Sequence, residues 1–331
     1  MPVTLREVAL RAGVSRSAVS RAFTPGASVS ATTRAKVELA AADLGYSPSA
    51  LASALTTGRT KLIGLVSNNF RNPVFLEVFD RFTRGLQEQG LRPLLVNLSG
   101  NMDRAAAIQL LRRYSVDGVI LASSTLPPDF ALAFRDAHLP VVHSFGRCTG
   151  TAPVHLVGVD NQAAGFLAAR TLLQRGYRRI SFLGGPERAT STQDRLRGFR
   201  DGCGIGTQVA TSFAAEYSFA AGRAEMQRLL TEGPAAEAYF CGDDILSIGA
   251  MSALRDAGLT VPGNVGILGM NDMEMAAWAG VELTTVRQPV GDIIEASIEL
   301  VVAAINTPEL PPRTRRFDCT LVERATLRPL P

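Results

Sequence analysis

The fold class predicted from the sequence is α/β: an N-terminal all-α helix-turn-helix headpiece, then a larger body of two doubly wound parallel-sheet units in series. Three observations predict it. Two short helical patterns meet at Gly13, each with a capping residue at its front. From Lys61 onward, short apolar runs alternate with amphipathic helical patterns, and the alternation occurs twice. The charge is also unevenly placed. The 331 residues carry a net +4, yet residues 1–61 alone hold eight basic residues (Arg6, Arg11, Arg16, Arg21, Arg34, Lys36, Arg59, Lys61) against three acidic ones (Glu7, Glu38, Asp43), a net +5. The remainder is at −1.

Thr4 and Glu7 are spaced as a capping box, in which each side chain satisfies the other's backbone N–H. Leu5, Val8, Ala9 and Ala12 then share one helical face. Gly13 supplies the backbone freedom of a sharp inter-helix turn. Ser15 suits the cap of the second helix, and Val19 and Phe23, four apart, face inward on it. The opposite face carries Arg16, Ser17, Ser20 and Arg21. A short helix of this kind fits the major groove of DNA, where Arg grips guanine through two parallel hydrogen bonds and Ser reaches bases or phosphates. A plain helical hairpin with a solvated arginine face has the same pattern, and this stretch alone leaves both readings open. A third helix follows within Ser30–Pro48, capped at Ser30. Excess positive charge in this segment is what phosphate neutralisation requires. Ser47 and Pro48 open a further short helix to Leu55, too short to be stable alone, and Thr56 to Arg59 reads as a linker.

In the body, Leu62–Val66, Arg92–Val96, Gly118–Ala122, Val141–Val142 and Leu156–Val159 read as strands, with helices near 75–89, 103–114 and 129–137. A second set of strands, Ile180–Leu183, Ala238–Cys241 and Val265–Leu268, alternates with helices near 162–174, 193–203, 219–232 and 244–256. Near-continuous apolar strands separated by helices mean parallel sheets covered on both faces. A last helix, 290–305, precedes a short basic tail containing prolines. Two such units suit a two-lobed binding protein or a nucleotide enzyme.

Enzymatic chemistry lacks its residues. Gly202-Cys-Gly-Ile-Gly206 follows a helix pattern instead of a strand and misses the spacing of a dinucleotide-binding turn. No P-loop, nucleophile triad or metal-ligand cluster is legible. The four cysteines (Cys148, Cys203, Cys241, Cys319) and three histidines are scattered, so no zinc site, metal or cofactor is expected and reduced thiols are the default. No apolar run approaches the ~20 residues of a membrane span, and the first residues form a capped helix instead of a secretory signal. A cytoplasmic location is expected.

The motifs Thr-Leu-x-x-Val-Ala at 4–9, Ala-Gly-Val-Ser at 12–15, Val-Ser-Arg at 19–21, Val-Ser-x-x-Thr-Arg at 29–34, Leu-Gly-Tyr-x-Pro at 44–48 and Ala-x-x-Leu at 52–55 occur in order. Further matches are Val157-Gly-Val-Asp-Asn161, Phe182-Leu-Gly-Gly-Pro186, Phe240-Cys-Gly-Asp-Asp244 and Leu283-Thr-Thr-Val-Arg-Gln-Pro289. Over residues 3–325 the chain closely resembles the LacI/GalR family of bacterial transcriptional repressors. The resemblance implies a headpiece at 1–46, a hinge helix and linker at 47–60, and a periplasmic-binding-protein-like effector and dimerisation domain at 61–331. Its first lobe would take about 61–158 and 289–320, its second about 159–288. It implies a homodimer on double-stranded DNA with a pseudo-palindromic operator, and a hinge helix that folds on DNA and wedges Leu55 into the minor groove. No leucine heptad follows Arg324, so a dimer is expected instead of the tetramer some members form. The DNA contacts so implied are Thr4, Ser15, Arg16, Ser17, Ala18, Ser20, Arg21, Ser30, Thr33, Arg34, Tyr46, Ala54 and Leu55.

In open parallel sheets ligands bind beyond the strand C-termini. The candidates for a small polar effector, a sugar or sugar derivative, are Asn69 after the first strand, Arg147, Asp160, Ser191, Arg195, Asp243, Asn271 and Gln288. Phe75 and Tyr217 fall where family members carry aromatics that sandwich a ligand, and Trp278 is a looser candidate. Asp160 and Asp244 also read as helix caps, and Phe75 also reads as core. Asn271 stands where many members have aspartate, and Ala189 where purine-binding members have arginine. A purine is thereby disfavoured, and Arg195 with Arg147 leaves room for an acidic or phosphorylated sugar. The alternative is a member that activates, or that needs a corepressor such as a nucleoside-like ligand.

Overall fold

The computed structural model describes residues 3–24, 26–47, 54–55, 57–98, 103–148, 153–204 and 209–331. Most of the expected hinge helix over 48–55 lies outside them. The chain divides into two compact units, Met1–Lys61 and Leu62–Pro331.

The first unit holds α1 (Leu5–Ala12), α2 (Arg16–Ala22) and α3 (Ala31–Leu44). The capping box forms in full: the Thr4 N–H donates to Glu7 at 2.6 Å, and the Glu7 N–H donates to Thr4 Oγ1. Gly13 closes α1 in the left-handed region, at φ 65°, and turns the chain toward α2. Ser15 Oγ accepts from the Ala18 N–H, and Ser30 Oγ from the Thr33 N–H. These caps satisfy first-turn donors that no helix satisfies internally. Each helix contributes one wholly buried valine, Val8, Val19 and Val37, to a core closed by Ala9, Ala22, Ala40 and Ala41.

The second unit contains two six-stranded sheets. The strands and helices of the first are β1 (Leu62–Ser67), α4 (Val74–Glu88), β2 (Arg92–Asn97), α5 (Arg104–Arg113), β3 (Gly118–Ala122), α6 (Pro128–Asp136), β4 (Val141–Ser144) and β5 (His155–Val159). The second sheet's are α7 (Asn161–Gln174), β6 (Ile180–Gly184), α8 (Thr190–Cys203), β7 (Ala210–Phe213), α9 (Phe219–Glu232), β8 (Ala238–Cys241), α10 (Asp244–Asp256), β9 (Gly266–Asn271) and β10 (Thr285–Arg287). α11 (Val290–Asn306) then returns to pack on α4 and the first sheet. Each sheet repeats one doubly wound order: β2-β1-β3-β4-β5 in the first and β7-β6-β8-β9-β10 in the second, all parallel.

The segment read from sequence as a basic tail is corrected by the structure. It forms β11 (Thr314–Phe317), parallel to β5 at the edge of the first sheet, and β12 (Thr320–Val322), antiparallel to β10 at the edge of the second. Beyond β12 the chain stays on the second sheet, where Thr326 bonds Ile267 and the Arg328 guanidinium lies over the Tyr177 ring. An edge strand needs no apolar run on both faces, so Thr-Arg-Arg-Phe carries no strand signature. β7 and β10 escaped the sequence reading for a related reason: Ala-Thr-Ser-Phe and Thr-Val-Arg contain no run of apolar residues.

Candidate functional site

In the first unit α2 presents Arg16, Ser17, Ser20 and Arg21 to solvent, with Ala18 partly buried beside them. Ser15 Oγ and Ser17 Oγ lie 2.9 Å apart, so the cap and its neighbour form one polar cluster at the N-terminus of α2. Thr4, Ser30 and Thr33 serve the caps of α1 and α3. Arg34 is partly buried and donates to the Ala22 carbonyl, which ties the end of α2 to α3. Tyr46 packs on Phe23 with ring centroids 5.9 Å apart and belongs to the core as well as to the surface. Ala54 and Leu55 are described, and Leu55 is 89 % exposed.

In the second unit the loops beyond β1, β3 and β4 face those beyond β8, β9 and β10 across a cleft. Asn72, Phe75, Ser124 and Phe145 line it from the first sheet, and Arg195, Tyr217, Asp243, Asn271 and Gln288 from the second. These are the carboxyl ends of parallel strands at the point where strand order reverses, the usual crevice of open α/β sheets. The cavity is nearly filled by its own side chains: the free space is about 20 Å³, room for roughly one water.

Asp243 is the centre of the polar network and is 2 % exposed. It caps α10, its Oδ1 accepting from the Ile245 N–H at 3.0 Å. Its Oδ2 accepts from Asn72 Nδ2 at 2.7 Å and from Asn271 Nδ2 at 2.9 Å. Burial pushes its carboxyl up, while the Ile245 N–H, Asn72, the Arg195 charge and Asn271 pull it back. Gln288 donates to Asn271 Oδ1 and extends the chain. Asn271 sits at φ 115°, a conformation that side chains rarely adopt, and such strain clusters at ligand clamps.

Arg195 is 3 % exposed and is held from behind. Its Nε donates to Asn161 Oδ1 at 2.8 Å and its Nη1 to the Gly242 carbonyl at 2.6 Å. The helix that carries it lies backbone to backbone on α7: a Cβ at Gly198 would stand 1.8 Å from the Gln162 carbonyl oxygen, and one at Gly165 2.1 Å from that of Arg195. The glycines therefore set the depth at which Arg195 enters the cleft.

Two family profiles match the chain: "Bacterial regulatory proteins, lacI family" over residues 4–49, and "Periplasmic binding protein-like domain" over 169–327. The ribose operon repressor of Escherichia coli (strain K12) is 30 % identical over 98 % of this chain and 99 % of its own length. The chain belongs to the lacI family of bacterial regulatory proteins. The transcriptional repressor CytR of the same organism is 28 % identical over 99 % of this chain and 97 % of its own. Both relatives are repressors and not enzymes. The fold is that of the lac repressor, whose operator-bound dimer with the anti-inducer ONPF superposes with a TM-score of 0.87 at 24 % identity, over 98 % of this chain and 99 % of that one.

Against this family fold, the sequence-predicted cleft residues separate into two groups. Phe75, Arg195, Tyr217, Asp243, Asn271 and Gln288 meet in the cavity. Phe75 is both wall and core, 4 % exposed and 5.9 Å from the ring of Phe145. Asn69, Arg147, Asp160 and Ser191 do not line it. Asn69 bonds Ser124 and the loop around it. Arg147 reaches Asp194 at 2.8 Å and Gln193, so its charge is met outside the cavity and lends no support to an acidic ligand there. Asp160 caps α7 and pairs with Arg316. Ser191 Oγ backs the Tyr217 hydroxyl. Trp278 is 55 % exposed and stands away from the cleft. Asp244 is wholly buried and holds Thr285 and the Met273 N–H, while Asp243 is the α10 cap. The sequence reading passed over Asn72, Ser124 and Phe145. Ser124 follows a strand as the chosen candidates do, whereas Asn72 lies five residues past β1, in a loop whose path the sequence does not disclose.

Proposed function

We propose that the protein is a homodimeric transcriptional repressor that binds a pseudo-palindromic operator through α2, with DNA affinity set by a small polar effector, a sugar or sugar derivative, held between the two sheets. The observation that carries the reading is the pairing of an exposed Arg/Ser recognition face with a cleft built on buried Asp243 and Arg195. A carboxylate, amides and a guanidinium offer both acceptors and donors, which sugar hydroxyls require. Phe75, Phe145 and Tyr217 supply apolar and aromatic wall for the faces of a ring. The named relatives support both halves: one is the repressor of a ribose operon, and the lac repressor dimer is bound to operator.

Two-fold symmetry of the protein demands two-fold symmetric half-sites. Selection from random DNA should therefore return inverted repeats, and Arg16→Ala should cost ~1–3 kcal/mol and relax one position per half-site. A selection that returned single asymmetric sites would refute the dimer. Thermal-shift screening against sugars, sugar acids and nucleosides tests the effector, and a screen in which no compound raises the melting temperature speaks against the cleft as its site.

A further inference from the structure

We infer that Asn72 is a tethered internal ligand, whose amide holds on Asp243 the position that a hydrogen-bond donor of the effector must take, and so clasps the two lobes. The inference rests on the cleft being the effector site, but its test does not. Both lone pairs of Asp243 Oδ2 are filled, by Asn72 Nδ2 at 2.7 Å and Asn271 Nδ2 at 2.9 Å. Asn271 belongs to the same lobe as Asp243 and is fixed by Gln288 on its other side. Asn72 comes from the loop after β1, in the other lobe. Its amide cannot turn round freely, because Oδ1 accepts the Val74 N–H at 3.2 Å at the start of α4. The donor is thereby aimed at the carboxylate. A hydrogen bond to a buried charged group is among the stronger ones. Of the ion pairs that join the two lobes, Arg71–Glu216 at 3.2 Å is on the rim with Arg71 84 % exposed, and Arg147–Asp194 at 2.8 Å lies outside the cavity that a ligand would enter. Asn72 is thus the bond that an incoming ligand has to break, and ligand donors able to replace an amide N–H on Asp243 are favoured over those that cannot.

The cleft contains its own reporter of closure. The Ser191 N–H lies in the first turn of α8, where no helix carbonyl can receive it. It donates across the lobes to the Ser124 carbonyl at 3.3 Å. Its exchange with deuterium therefore requires the lobes to part. The experiment compares full-length wild type with Asn72→Ser, whose shorter hydroxyl can still cap Val74 but falls short of Asp243. In protein prepared without effector, exchange at Ser191 should rise about tenfold or more, while Ile120 in β3 and Phe240 in β8 stay as slow as in wild type. Arg71→Ala should change Ser191 by less than about twofold, since exposed pairs contribute little. Unchanged exchange at Ser191 in Asn72→Ser overturns the clasp. If the core amides quicken too, Asn72→Thr decides: its hydroxyl keeps the Val74 cap and also falls short of Asp243, so Ser191 must quicken ahead of the core or the inference falls. Because no effector is used, failure here leaves the effector reading standing, and a failed effector screen leaves this result standing.

Discussion

His143 shows how a single residue can carry a pH dependence away from the cleft. It is 1 % exposed in β4, and its Nε2 bonds the Ser123 carbonyl at 3.1 Å. Burial pulls its imidazole from the ordinary 6.5 down to about 4, partly offset by that carbonyl. The folded pKa is depressed, so the unfolded chain takes up the proton first. Stability that neutral His143 contributes is complete above the unfolded value and is lost as pH falls from 6.5 toward 4. Asp244 has the opposite sign. Burial pushes its carboxyl from the ordinary 3.8 up to about 8, so its contribution is complete in acid and is lost as pH rises from 3.8 toward 8. His143→Gln keeps a donor for Ser123 and removes the titration. Between about pH 7 and about pH 4.5, wild type should lose roughly 2 kcal/mol more than this variant in urea unfolding. Equal losses would mean that His143 is not the group responsible. At the same scale Asp243 and Asp244 are adjacent buried carboxylates with different work, one open to the cleft and one holding β10 and the loop after β9.

At the scale of elements, the α7–α8 pair converts two glycines into the position of a charge. α8 approaches α7 so closely at Gly198 and Gly165 that any Cβ collides with backbone, which cannot swing aside as a side chain can. Gly198→Ala should therefore cost ~1–3 kcal/mol or more in unfolding free energy, the usual penalty of forced overpacking. It should also displace Arg195, three residues earlier on α8, and weaken the effector response of any protein that still folds. A variant as stable as wild type, with full response, would show that the two helices separate at little cost. Both the stability and the response are measurable on one preparation, by denaturant titration and by operator titration with effector.

For the whole molecule, the proposed effector cleft and the proposed DNA-contacting helix fall in different units: the cleft lies in Leu62–Pro331 and α2 in Met1–Lys61. An effector shifts operator affinity only through its different affinity for the two lobe arrangements, commonly ~1–3 kcal/mol of coupling. Arg195→Ala should leave operator affinity without effector nearly unchanged and abolish the effector's influence on it, because a site built to pair polar groups loses those pairings on truncation. Operator titration with and without the effector found by screening reads this directly. An Arg195→Ala protein that still responds fully would move the effector site elsewhere.

What the sequence by itself determined is what local chemistry determines. The caps at Thr4, Ser15 and Ser30 depend on residues three apart, and the long apolar strands and amphipathic helices depend on periodicity, so both were legible before any coordinates. Asp243, Asn271 and Gln288 were legible too, because a polar residue at or just past a strand end is placed by the strand, whereas Phe75 and Tyr217 were legible only through the family resemblance. Tertiary structure alone decided the rest. Arg147 and Asp160 also follow strands, yet Asp194 and Arg316, distant in sequence, take their charges. The edge strands β11 and β12 exist only because β5 and β10 offer them free edges. Asn72 reaches Asp243 across 171 residues of chain, a contact that no local pattern encodes and that only the meeting of two sheets creates.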